Sequence, residues 1–242
     1  MTSAIRYFLQ SFRYLGNPRL SKYIWISVFV SCLLFFGMMW GIGLFTTWFS
    51  GLLGDWIPWD WAGESVLYKW VLNVLSFVLF LGMFKYIALG ILGPIMSLLS
   101  ERLEGIISQN QVRQKPPGLL SGTIRGIRVN VVNLSKELIY TVLLIGLSFI
   151  PGFAIVTAPL LIILQGYFAG YGVIDFYLER YCNFRESNRV VRREWIFATT
   201  VGLLFVLVFS IPIVGIILAP ILGTITSTLY FEKENRLDIH FS

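Results

Sequence analysis

Charge is what this sequence has least of. Only 13% of its 242 residues are charged, 56% are hydrophobic, and the mean hydropathy is +0.74, which excludes a soluble globular domain of ordinary composition. Histidine occurs once, as His240 in the C-terminal tail, and cysteine twice, as Cys32 and Cys182. That is too few for a disulfide framework or a cysteine metal site, so both thiols read as free and no metal or cofactor is expected. No phosphate-cradling glycine loop and no nucleic-acid-binding motif accompanies the basic segments, and no catalytic constellation emerges, so the chain reads as a non-enzyme without a nucleic-acid partner. The N-terminus lacks the short apolar core and small-residue cleavage site of a secretory signal and is expected to stay on the mature protein. The formal net charge of +6 is assigned to anionic lipids of the cytoplasmic leaflet.

What is there in quantity is apolar length. Four runs, Tyr23–Gly54, Ser65–Ser100, Leu138–Ile174 and Ile196–Phe231, each exceed the roughly 20 residues needed to span a hydrocarbon core. Basic residues outside them fall in Arg6–Lys22, Arg102–Lys136, Arg180–Arg193, and Lys233 with Arg236, whereas Asp55–Glu64 carries three acids and no cation. The positive-inside rule therefore puts the four basic segments and both termini in the cytoplasm and the acidic segment outside, with Trp48, Trp56, Trp59 and Trp61 as an outer aromatic belt. Ile5, Phe8, Leu9, Phe12 and Leu15 recur at helical spacing and predict an interfacial helix that Gly16, Asn17 and Pro18 end.

The first two runs cross as ordinary helices. The last two cannot each cross once, because that would put five cations of Arg180–Arg193 outside. Each carries a proline-spaced phrase, "FIPGFAIVTAPLL" with Pro151 and Pro159 and "IPIVGIILAP" with Pro212 and Pro220. Split there, the arms hold about 12 to 16 residues and reach about 18 to 24 Å, less than a core of about 30 Å. The prolines then read as turns near the midplane, with Pro159 and Pro220 in the first turn of each returning arm, unless each run is two short tilted spans with a tight outer turn. The expected architecture is an all-α integral membrane protein of one domain. It has an interfacial helix (1–22), transmembrane helices (23–54 and 65–100), a cytoplasmic helical segment (101–137), partly penetrating hairpins (138–174 and 196–231) flanking a basic loop (175–195), and a tail (232–242). Within the cytoplasmic segment, Ile124, Ile127, Val131, Leu134 and Leu138 form one stripe, the pattern of a second amphipathic interfacial helix.

Those two phrases, together with "GPIMSLLSERLEG" at Gly93–Gly105 and "NPRLSKY" at Asn17–Tyr23, resemble the CysZ sulfate permeases, which group with the etoposide-induced-protein-like membrane proteins. The resemblance implies two long transmembrane helices with two partly penetrating hairpins, and a homo-oligomeric inner-membrane permease supplying sulfate for cysteine biosynthesis. It departs at two places. The family's Gly-Leu-x-Ala-Glu signature is here Ser97, Leu98, Leu99, Ser100 and Glu101, and the family's sulfate-contacting arginine pair is here Ser21 and Lys22, with Arg19 nearby. Lysine lacks the planar fork that grips an oxyanion two-handed.

The candidate substrate site is accordingly Arg19, Leu20, Ser21 and Lys22 at the start of the first long helix, with Glu101 on the family motif. Free amides, a hydroxyl and cations can converge there on a dianion, or the cations simply anchor the helix end to lipid phosphates. Glu101 and Glu104 either pair with Lys22 or Arg19 or form a solvated helix face. Lys85 either snorkels to the inner interface or faces a cavity as a second anion stop. Thr157, Thr224 and Thr226 either line a pore or join the hairpins by hydrogen bonds. Membrane lipids are partners on either reading, and the rival to a permease is a membrane scaffold or lipid organiser that passes no ion.

Overall fold

A computed structural model describes residues 2–56, 66–108, 119–148, 150, 152–211 and 214–235. Among them are eight helices and no strand: α1 (Thr2–Leu15), α2 (Pro18–Trp56), α3 (Val66–Ile107), α4 (Leu119–Ser148), α5 (Ala154–Leu178), α6 (Phe184–Arg193), α7 (Trp195–Phe209) and α8 (Val214–Lys233). The all-α membrane class read from composition is the class observed. Five helices, α2, α3, α4, α5 and α8, contain an apolar stretch long enough to cross a membrane, and α7 is a shorter apolar helix of 15 residues.

Local chemistry sets the boundaries. Asn17 closes the gap between α1 and α2: its side-chain oxygen accepts from the Arg19 amide at 3.0 Å and its carbonyl from the Leu20 amide at 3.0 Å, while Pro18 fills the first helical position, where no amide is missed. Asn183 starts α6 with a reciprocal capping box, accepting from the amides of Arg185 and Glu186 while Glu186 accepts from the Asn183 amide at 2.9 Å. The turn joining α4 to α5 carries Gly152 at φ +88°, a left-handed conformation that glycine adopts without steric cost. Pro151 and Pro212 lie outside the described residues, as do Trp59, Trp61 and His240.

Several expectations change. Pro159 and Pro220 lie inside α5 and α8 rather than in their first turns. Pro220 offers no amide to the carbonyl of Ile216, and Ser31 of α2 donates its hydroxyl to that oxygen at 3.3 Å, so a neighbouring helix satisfies the group the proline frees. Helix α4 continues unbroken from Leu119 through to Ser148, across the expected boundary at 137, and α6 occupies Phe184–Arg193 of the stretch expected as a basic loop. The stripe of Ile124, Ile127, Val131 and Leu138 on α4 is exposed. Three of the four apolar arms continue as longer helices, α4, α5 and α8, whereas α7 keeps the length of its arm, 15 residues. On α1, Ile5, Leu9 and Phe12 are exposed while Ala4, Tyr7 and Ser11 pack inward.

Burial is uneven. α2 shows Trp25, Phe29, Phe36 and Trp40 outward, whereas almost every residue of α8 from Ala219 to Phe231 is buried. The core lies where α3, α5, α7 and α8 meet, around Leu92, Met96, Ile174, Phe205 and Ile225. Its tightest point is the α5–α7 crossing. A Cβ on Gly202 would lie 1.7 Å from the Gly166 carbonyl oxygen, and one on Gly170 would lie 1.9 Å from that of Ala198. Two glycines four apart on α5 and one on α7 let the backbones touch. Gly202→Ala is therefore expected to force the helices apart and lower the melting temperature in detergent by about 5 °C or more. Gly37→Ala, whose Cβ would meet nothing within 4 Å, is expected to leave it within about a degree.

Candidate functional site

The start of α2 and the far end of α3 enclose a cleft of about 510 Å³. Arg19, Lys22 and Tyr23 reach it from α2, three and four residues apart and hence on one helix face; Glu101, Arg102, Gly105 and Ile106 reach it from α3. Arg102 donates from Nε to the Tyr23 hydroxyl at 3.1 Å and so spans the two helices. Three cations against one carboxylate leave the cleft positive, and the opening of α2 adds the partial positive charge of a helix N-terminus.

Of the residues expected to bind substrate, the structure brings Arg19, Lys22 and Glu101 together. It turns Leu20 into the core, fully buried, and leaves Ser21 half-buried and off the lining. Tyr23, Arg102, Gly105 and Ile106 were not expected. The signal for Gly105 was its position one turn after Glu101, whereas Arg102, adjacent to Glu101, carried no spacing signal; Gly105 keeps that wall low because it has no side chain.

Behind the cleft, Glu104 turns away from Glu101 and is not a solvated group. Its carboxylate pairs with the Arg180 guanidinium, both side chains fully buried, and accepts from the Tyr181 hydroxyl at 2.6 Å. Arg180 also donates to Ser100 at 2.9 Å, and Ser100 lies 2.8 Å from the Thr228 hydroxyl. Ser100 thereby ties α3 and α8 to the turn that follows α5, work that an alanine there could not do. Ser97 and Leu99 are buried beside it and Leu98 is half-buried.

Two further ion pairs fix α4. Lys85 does not snorkel: it is buried and donates to both carboxylate oxygens of Glu137, at 2.7 and 3.0 Å, and the Tyr86 hydroxyl bonds the same carboxylate. Arg125 pairs with Asp175 at 3.0 Å and donates to the Cys182 carbonyl. The hairpin threonines are buried as well. Thr224 and Thr226 donate to the Pro220 and Leu222 carbonyls one turn back, both at 2.7 Å, and Thr157 is buried on α5.

Glu179 follows α5 and is largely shielded. Burial pushes its carboxyl up to about 7, Asp175 adds to the rise, and Arg125 and Arg180 oppose it; its Oε1 has no hydrogen-bond partner among the described residues. An acid raised on folding binds more protons folded than unfolded, so stability falls as pH climbs from about 4.5 to about 7, by up to about 3 kcal/mol. Glu179→Gln is expected to remove that fall: its melting temperature should stay level from pH 5 to pH 8 where the parent's declines, as read by thermal scans in detergent.

These features define a multi-pass, all-helical membrane protein with a cationic cleft where its two longest helices meet. Residues 7–220 match the family described as sulfate transporter CysZ/etoposide-induced protein 2.4, and the chain belongs to that family. It is similar to the sulfate transporter CysZ of Pectobacterium atrosepticum, at 24% identity, over 97% of this chain and 86% of that protein.

Proposed function

We propose that the chain is a permease for sulfate or a closely related oxyanion, and that the cleft between α2 and α3 is where the anion is received. The observation that carries the reading is the grouping of Arg19, Lys22 and Arg102 around one carboxylate, Glu101, in a cleft of about 510 Å³. A dianion entering it neutralises an excess of two positive charges, and Glu101 keeps the site from holding the ion too tightly to release it. Family membership and the CysZ relative supply the choice of sulfate.

On this reading the protein sits in the bacterial inner membrane as a homo-oligomer, with the cleft and both termini on the cytoplasmic side and the hairpins only partly penetrating the bilayer. Sulfate entering the cell would feed cysteine biosynthesis. The chain shows no nucleotide-binding motif, which favours a passive route over a pump.

The rival reading, a scaffold that passes no ion, is favoured by one observation: Thr224 and Thr226 bond backbone carbonyls inside the packing. Flux separates the two. Liposomes holding the purified chain are expected to take up radiolabelled sulfate above empty liposomes, and uptake no faster than theirs would remove the permease reading. Lys22→Ala should cut uptake at low sulfate by about tenfold, the effect of roughly 1.4 kcal/mol of lost attraction, and Lys22→Arg should restore it. Lys22 is exposed, so the variants are expected to fold alike.

A further inference from the structure

A second groove lies away from the cleft, between α4, α5 and α7, with a volume of about 570 Å³. Its composition is graded along one direction. Toward the α4–α5 turn its walls are Leu143, Leu144, Leu160, Ile163 and Leu164. One to two helical turns further on, where α5 runs toward α6, the lining changes to Tyr140, Tyr167 and Trp195, and it ends at Arg192 in the last turn of α6. Apolar, then aromatic, then cationic is the order in which a membrane protein meets acyl chain, interface and headgroup.

Two details point to an occupant. Arg192 makes no ion pair among the described residues and sits on a helix whose Arg185, Arg189 and Arg193 are also exposed, while Ser187, Val190 and Val191 hold the helix to the core. The polar end of the groove is thus positive and unneutralised. Thr199 is 8% exposed, lines the groove, and its hydroxyl has no hydrogen-bond partner among the described residues. Its neighbour Thr200 bonds the carbonyl one turn back at 2.7 Å, as do Thr224, Thr226 and Thr228 on α8. Thr199 departs from these threonines, as Ser227 does on α8, but among these unpartnered hydroxyls Thr199 is the one whose residue lines this groove, and a buried hydroxyl without a partner costs free energy that a ligand acceptor recovers.

We propose that this groove is a binding site for one anionic phospholipid. The phosphate pairs with Arg192, a glycerol ester carbonyl accepts from Thr199, and an acyl chain lies along the leucines of α4 and α5. A basic pocket between membrane helices is the expected partner of an anionic headgroup. The site is independent of the anion cleft and does not rest on the transport reading. By tying α4 and α5 to α7 from outside, the lipid would brace the same crossing that Gly166, Gly170 and Gly202 close from inside.

Native mass spectrometry of the detergent-purified chain, titrated with dioleoyl phosphatidylglycerol or dioleoyl phosphatidylcholine, tests this. The wild type is expected to retain one phosphatidylglycerol per chain at about a tenth of the concentration needed for phosphatidylcholine. Arg192→Gln should abolish that preference and leave weak binding of both lipids. Thr199→Val should weaken both by severalfold while Thr200→Val changes neither, and Leu164→Trp, which fills the groove, should remove the adduct altogether. A preference surviving in Arg192→Gln would overturn the proposal. Displacement of the phosphatidylglycerol by millimolar inorganic phosphate would overturn it too, because it would mark a soluble-anion site. A change of oligomer mass in lipid-free Leu164→Trp would mark the groove as a contact between copies and end the lipid reading.

Discussion

Where α5 crosses α7 there is no room for a side chain: a Cβ on Gly170 or Gly202 would stand within 1.9 Å of a carbonyl oxygen, and one on Gly166 would stand 2.6 Å from Leu203 Cγ. Each hairpin alone would present its apolar arms to lipid, which attracts them as well as protein does. Close backbone approach supplies dispersion contact that lipid cannot match, and it joins the α4–α5 hairpin to the α7–α8 hairpin. With that joint closed, α8 is driven into the middle of the molecule, and Gly223 then has to accommodate Val173 of α5, whose Cγ1 lies 2.7 Å from where its Cβ would be.

A buried α8 raises the problem of its proline, and the solution reaches across to α2. The carbonyl of Ile216, left without an amide by Pro220, takes the Ser31 hydroxyl, so the first membrane helix is located by a defect in the last. Charge is handled in the same way. Glu104 with Arg180, Glu137 with Lys85, and Asp175 with Arg125 are paired inside the protein. Removing one member of such a pair leaves a buried charge unmatched, at a cost of about 3 to 5 kcal/mol. These pairs are worth more as constraints on which helices can be neighbours than as net stabilisation. Arg180 finds its partners Glu104 and Ser100 on α3, and Ser100 is in turn held by Thr228 of α8.

The legible part of this fold was the part written in short-range patterns. Apolar run length gave the membrane class, and helical spacing gave α1 with its stop at Gly16. Asn17 and Pro18 marked the start of α2, and the cations at Arg19 and Lys22 identified the end at which a cleft forms. What was not legible depended on pairings between residues far apart. Lys85 and Glu137 are 52 positions apart and Glu104 and Arg180 are 76 apart, so nothing adjacent to either acid marks it as buried. Glu101 and Glu104, three residues apart on one helix, seemed to share an environment, yet one lines an open cleft and the other is sealed. The α5–α7 crossing at Gly166, Gly170 and Gly202 was not read from the sequence, because it depends on which two helices meet. Pro159 and Pro220 were misplaced by a turn, and for Pro220 nothing in the phrase shows that a side chain from another helix will satisfy the carbonyl it strands.

The distribution of paired and unpaired charge connects fold to function. Inside the protein every ion pair just described is closed, with one carboxylate for each cation. At the α2–α3 cleft the ratio is three to one, and Arg102 is held to Tyr23 rather than to an acid. An unmatched charge that is prohibitive in the low-dielectric core can stand at the mouth, where water still reaches it, and under the proposed permease reading it is there that a dianion is drawn. Neutralised pairs deeper in cannot compete for that ion. This positive site stands at one end of the two longest helices, apart from the basic face of α6, and Ser100, which accepts from Arg180, belongs to the neutralised network behind it.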